Sequence, residues 1–195
     1  MFIRVDSRPN PFCYPQAVPF QRSRRTITDE ASLYDYAIKS LGQRMRTVAE
    51  LKRLMRRRVP EGEIGVLLVE MVILRLKDQK YLNDSNYAAS YSAYRRDTEK
   101  FGRRRVVTDL KVKGVHPEVI EKAVNEAYVA VDELAQARAF LKRKRLKKPS
   151  TNKEAARIFR ALIRAGFAVG ASIKVLKDWK VDDEFLSTLQ EETET

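Results

Sequence analysis

From about residue 28 onward, apolar residues return at three- and four-residue intervals, the period of one face of a helix. Leu33, Tyr36, Ala37 and Leu41 form a first stripe, and Val48, Leu51, Leu54 and Met55 a second. A third runs Ile64, Leu67, Leu68, Met71, Val72 and Arg75. Breaks fall near Met45-Arg46-Thr47 and at Val59-Pro60-Glu61-Gly62. The pattern is then written again. Asn83-Asp84-Ser85 offers helix caps ahead of Tyr87, Ala88, Tyr91 and Tyr94. Val106, Val107 and Leu110 follow Phe101-Gly102, and Gly114-Val115-His116-Pro117 closes that helix. Pro117 suits the first turn of the next helix, which carries Ile120, Ala123, Val124, Ala127 and Tyr128. A third, weaker copy has Leu134, Ala137, Arg138 and Leu141. Asn152 is then read as the cap of a helix with Ala155, Ile158, Phe159, Leu162 and Ile163. After Gly166-Phe167 come Ile173, Val175, Leu176 and Trp179.

The second helices of the three copies align without gaps: Leu54-x-x-x-Arg58-Val59, Leu110-x-x-x-Gly114-Val115 and Leu162-x-x-x-Gly166-Phe167. Each is a core leucine, a residue suited to a helix C-terminus, then an apolar residue. The repeat of about 50 residues is that of a tandem helical array. The predicted fold is all-α, three tandem three-helix repeats over 28–80, 81–130 and 131–180, forming an elongated, curved array. A module this small has a marginal core alone, so neighbours are expected to dock. Residues 1–27, with Pro9, Pro11, Pro15, Pro19 and Arg22, Arg24, Arg25, are expected to be a disordered basic arm. Residues 181–195 hold six acidic residues and no basic one, and this acidic tail is expected to fray.

Charge adds a partner class to this picture. In 195 residues, 39 Lys+Arg against 26 Asp+Glu give a net charge of +13. That surplus attracts a polyanion, and it is clustered. The second helix of the first repeat carries Lys52-Arg53 and Arg56-Arg57-Arg58, and that of the second opens with Arg103-Arg104-Arg105 and carries Lys111 and Lys113. Between them lie Arg95, Arg96 and Lys100. The third repeat has Lys142-Arg143-Lys144-Arg145 and Lys147-Lys148, then Lys153, Arg157, Arg160 and Arg164. Like charges at i, i+4 repel, and a polyanion offsets that repulsion by ion pairing and counterion release. The plainer account of Arg56–Arg58 and of 142–148 is that cations near a helix C-terminus complement its dipole. The candidate contacts are Arg53, Arg56, Arg57, Arg96, Arg103, Arg104, Arg105, Lys111, Lys142, Arg143, Arg145, Arg160 and Arg164. Tyr81, Tyr87, Tyr91 and Tyr94 are read as helix-packing residues rather than a base-stacking platform.

Other classes drop out. No run of about 18 apolar residues exists to span a membrane, and Met1-Phe2-Ile3-Arg4-Val5-Asp6 lacks the plan of a signal peptide. The lone Cys13 excludes an internal disulfide, so a cytoplasmic location is expected. One His and one Cys cannot build a zinc site. No phosphate loop or nucleophile elbow is present. No catalytic, cofactor-binding or metal-binding residue is therefore assigned, and the chain is expected not to be an enzyme.

Read as phrases, the chain resembles the RecX family, small bacterial regulators of the RecA recombinase. Tyr36-Ala37-Ile38-x-x-Leu41-x-x-Arg44-x-Arg46-Thr47-x-x-Glu50-Leu51 resembles the family's opening signature. Tyr81-Leu82-Asn83-Asp84-x-x-Tyr87-Ala88 is similar to its Leu-x-Asp-x-x-Phe-Ala segment, and Gly102-x-x-Arg105-Val106-x-x-x-Leu110-x-x-Lys113-Gly114-Val115 follows the next element. The resemblance covers roughly residues 30 to 180. The chain departs from it with Tyr87 where Phe is frequent, and with Arg58 where Gly is common. The resemblance implies a negative regulator that binds the RecA filament on single-stranded DNA and limits growth, ATP hydrolysis and strand exchange. Duplex DNA is a second candidate ligand, no membrane is expected, and a monomer is expected. Two alternatives stay open: a basic helical DNA- or RNA-binding regulator acting without RecA, and an adaptor that binds acidic protein surfaces only.

Overall fold

The structure, a computed structural model, describes residues 26–194, with side chains to residue 191. The expected arm, apart from Thr26 and Ile27, lies outside the described residues. Every regular element among the described residues is helical, and none is long and apolar enough to cross a membrane.

The helices pack in three consecutive groups, each around its own buried cluster. The first holds α1 (Glu30–Gln43), α2 (Val48–Arg56) and α3 (Glu63–Asp78). Asp29 caps α1, accepting from the Ser32 amide at 2.8 Å. Thr47 and Glu50 form a reciprocal capping box on α2, which satisfies two otherwise free donors. Pro60-Glu61-Gly62 forces the turn into α3, and Leu33, Leu51, Met55, Val72 and Ile73 fill the core. The second group holds α4 (Asp84–Asp97), α5 (Arg103–Val112) and α6 (Pro117–Tyr128), capped by Asn83 on α4 and opened by Pro117 on α6. Its core is Tyr87, Ala88, Val106, Leu110, Ile120 and Val124. The third holds α7 (Glu133–Arg143), α8 (Asn152–Arg164), α9 (Val169–Asp178) and α10 (Asp183–Glu194) around Phe140, Leu141, Phe159, Leu162, Phe167 and Leu176. Burying each such leucine or phenylalanine contributes about 1.5–3 kcal/mol.

Four details differ from the sequence reading. The apolar stripe assigned to α3 straddles two faces: Ile64, Leu67 and Met71 are 76%, 63% and 51% exposed, whereas its Val72 is buried and Leu68 half-buried, and the core face runs through Val69, Val72, Ile73 and Leu76. That helix is apolar nearly all round, so its period carries no phase, and packing of α1 and α2 decides which side is covered. The acidic end does not fray over its first turns. Leu186 and Leu189 of α10 are buried against the third cluster, with Phe185 packed beside them. The cap of α8 is Thr151, which accepts from the Glu154 amide, while Asn152 is the first helical residue. Tyr87 is buried and Tyr91 half-buried, but Tyr81, in the turn before α4, and Tyr94 are exposed.

The groups join end to end through their second helices. Gly102 N donates to the Ala165 carbonyl at 2.9 Å and Arg104 N to the Gly166 carbonyl at 3.2 Å. Free amides at the start of α5 thus satisfy free carbonyls at the end of α8. At the other junction, Thr47 Oγ1 donates to the Lys113 carbonyl at 2.7 Å, setting the end of α5 on the start of α2. Lys113 Nζ also meets Glu50 at 3.0 Å. The three helix dipoles run head to tail, a favourable arrangement. Close approach demands the glycines. A Cβ on Gly166 would lie 2.2 Å from Arg105 N, and one on Gly114 would lie 2.5 Å from the Ala49 Cβ. Among the described residues no helix docks on the corresponding end of α2, where the Arg58 carbonyl accepts from Ile27 N at 2.6 Å. Arg58 therefore fits where the other copies carry glycine.

Candidate functional site

The junction of the second and third groups forms a basic groove. Arg105 enters from the first turn of α5, Lys144 from the end of α7, and Arg157 and Arg164 from α8, seven residues apart on one face. The groove has a volume of about 490 Å³, and no carboxylate stands among its described lining residues. Its apolar wall includes Phe101 and Phe140, with ring centroids 6.0 Å apart. Phe101 packs against the clusters of both groups, so the wall bridges them where they meet. Lys144 Nζ lies 5.9 Å from the Phe140 ring centroid. Arg105 Nε is held by Asp109 at 3.0 Å, which orients the guanidinium one turn along its own helix. Arg157 and Arg164 are exposed, and the charge of Arg157 is felt by the Glu154 carboxylate one turn earlier on the same helix. Four cations around a partly apolar trough suit a ligand with repeated anionic groups and flat apolar faces between them.

The predicted contacts distribute unevenly around this groove. Arg105 and Arg164 line it. Arg103 and Arg104 line a separate cavity of about 260 Å³ on the same junction, together with Tyr128, Glu133 and Gln136. Arg103 also donates to Asn125 Oδ1. Burial pushes the Tyr128 hydroxyl's pKa up, and that hydroxyl donates to the Phe101 carbonyl at 2.9 Å. Arg160 is exposed on α8 beside Arg164. Lys142 and Arg145 are exposed, whereas Arg143 is paired with Glu99 at 3.0 Å. Arg53, Arg56, Arg57 and Lys111 are exposed on or next to α2 and α5, away from the groove.

Arg96 has a different role. Its guanidinium donates to both carboxylate oxygens of Asp97 and to the Ala127 carbonyl, and its own carbonyl accepts from Gln136 Nε2. The Asp97 bond, more than burial opposes it, holds the Arg96 pKa above its ordinary value. Arg96 ties α4 to α6 and α7, so its donors are spent on the fold. Lys144 and Arg157 were not singled out as contacts from the sequence. Arg157 lies seven residues before Arg164 in an Arg-rich helix, a usable signal only once the groove side of α8 is known.

A family model described as RecX, second three-helix domain, matches residues 83–124, which span α4, α5 and most of α6. The chain is 34% identical over 143 residues to the regulatory protein RecX of Myxococcus xanthus, covering 67% of this chain and 76% of that one. It is 28% identical over 139 residues to the regulatory protein RecX of Leuconostoc mesenteroides, covering 71% of this chain and 51% of that one. It thus spans about half the length of the latter. Among solved structures, a regulatory protein RecX superposes with a TM-score of 0.59 at 21% identity, covering 76% of this chain and 71% of that one. RecX from Lactobacillus salivarius gives 0.56 at 21% identity, covering 77% and 96%. At that identity the structures show the shared helical-repeat fold alone. The identity to the Myxococcus relative, most of whose length is covered, carries the family: this chain belongs to the RecX family of regulatory proteins.

Proposed function

We infer that this chain is a non-enzymatic negative regulator of the RecA recombinase. It binds the RecA filament on single-stranded DNA and limits filament growth, ATP hydrolysis and strand exchange, in the cytoplasm where that filament forms. The observation that carries this reading is the groove built by Arg105, Lys144, Arg157 and Arg164 from two helical groups at once. A cationic trough shared by two helical groups suits the repeated phosphates of an extended strand. The exposed arginines of α2 and the lysine at the end of α5 continue the positive surface along the array. Several weak contacts on one regular ligand add through effective concentration.

The direct test is ATP hydrolysis by the host's RecA on single-stranded DNA, with this chain titrated in below stoichiometry. Hydrolysis should fall progressively. A chain carrying Arg105→Ala, Arg157→Ala and Arg164→Ala should keep its helicity and lose the effect. A second reading has its own support, because a groove without carboxylates takes bare nucleic acid equally well. Unchanged hydrolysis, with salt-sensitive binding to DNA alone, would replace the RecA regulator with a plain nucleic-acid binder.

A further inference from the structure

The outward face of α3 is apolar, and no described residue covers it. Ile64, Leu67, Met71 and Leu74 are 76%, 63%, 51% and 60% exposed, while the opposite face of the same helix is core. A helix apolar on both sides belongs inside a larger body. The fold itself does not require this face. In the second group α6 holds the equivalent place. Matching buried Val69, Val72 and Ile73 to buried Ile120, Ala123 and Val124 sets Glu118, Lys122 and Asn125 where α3 has Leu67, Met71 and Leu74. All three of those α6 residues are exposed, so a polar outer face serves the repeat well.

The stripe is also complementary to itself. Its spacing of three, four and three residues reads the same in both directions. Two antiparallel copies of α3 therefore set Ile64 against Leu74 and Leu67 against Met71, each pair twice, as a two-fold interface requires. The charges on one flank agree. Glu63 sits at one end and Lys77 at the other, both exposed and without an ion partner among the described residues. Antiparallel packing brings Lys77 of each copy beside Glu63 of the other. Glu70 falls in the middle of that flank, where two copies would bring like charges together. It is already neutralised by Lys52 Nζ at 2.6 Å.

We propose that α3 is the contact between two copies of this chain, packed as an antiparallel helix pair. The helix is about 24 Å long, so the contact is smaller than a standard stable interface. The dimer is accordingly concentration-dependent, and it replaces the monomer expected from sequence. This proposal is independent of the RecA reading.

Sedimentation equilibrium of the full chain, from low micromolar to several hundred micromolar, tests it. The apparent mass should rise with concentration from one chain towards two. Leu67→Glu with Met71→Glu should hold it at one chain with an unchanged helical circular dichroism spectrum. Should those substitutions disturb folding, the surface charges give a second route. Glu63→Lys alone and Lys77→Glu alone should each weaken self-association, and an equimolar mixture of the two should restore it. A single-chain mass at every concentration, doubling that survives the double glutamate substitution in a folded chain, or a mixture no tighter than its components would each overturn the proposal.

Discussion

Replacing Gly166 by alanine tests whether the α5–α8 junction holds the basic groove together. The backbone there has φ +90°, and an added Cβ would meet Arg105 N at 2.2 Å, its Cβ at 2.5 Å and its Cα at 2.8 Å. Two of those three atoms are backbone, so no rotamer change relieves the clash. The start of α5 must move off the end of α8. That movement breaks the bonds from Gly102 N and Arg104 N to the Ala165 and Gly166 carbonyls. Each is worth about 1 kcal/mol net, and a non-glycine residue in the left-handed region costs about 1–2 kcal/mol more. Gly166→Ala should therefore destabilise the chain by roughly 3–4 kcal/mol in urea unfolding. Exchange protection should fall first at the Gly102 and Arg104 amides. Affinity for single-stranded DNA should fall with it, because Arg105 leaves the company of Arg157 and Arg164. Gly170→Ala is the control: nothing lies within 4 Å of its Cβ position, and the effect should be neutral or a gain of up to about 1 kcal/mol. Full stability and unchanged protection at Gly102 and Arg104 in Gly166→Ala would refute the close-packed junction.

Other consequences are separately measurable. Arg157→Ala and Arg164→Ala should each reduce the slope of log affinity against log salt for single-stranded DNA by about 0.7, and an unchanged slope would remove that residue from the phosphate contacts. Thr47→Ala removes both the α2 capping box and the bond to the Lys113 carbonyl. A loss of about 2 kcal/mol in thermal or urea unfolding is expected, and a loss below about 0.5 kcal/mol would show the cap is dispensable. The Glu50 carboxyl is raised by burial, but Lys113 and the Thr47 amide outweigh that and hold its pKa below the ordinary value. Its contribution to stability is thus complete above the unfolded carboxylate's pKa and lost as pH falls through the lower folded one. Melting temperature should drop on acidification below about pH 4, and less so in Glu50→Gln. An identical acid profile in both chains would sink this assignment.

Local periodicity carried most of the secondary structure into view. Asn83 and Pro117, read as helix-start signals, do stand at helix starts, whereas α8 is capped by Thr151, one residue before the Asn152 that the sequence suggests. The leucine–glycine pattern of 110–114 and 162–166 exists because those turns press against another helix. Such signals are readable because capping, turn geometry and amphipathic period are properties of a few adjacent residues. The outer face of α3 was not readable, since a helix apolar on every side gives no phase until its neighbours choose one. The fold of the acidic end was hidden by its composition, although Leu186 and Leu189 sit at helical spacing; the surface of α9 that they cover exists only once the third group has formed. Charge clustering likewise named Arg105 and Arg164 among the candidate contacts, and both line the groove, but it could not separate them from Arg96, whose guanidinium is spent on Asp97 and Ala127. Sequence by itself determined the helices, their repetition and the sign of the surface. Tertiary structure alone decided which cations share a groove, because Arg105 and Arg164 are distant along the chain and meet where the start of α5 docks on the end of α8, through the bonds of Gly102 and Arg104 and the packing of Phe101 on Phe140.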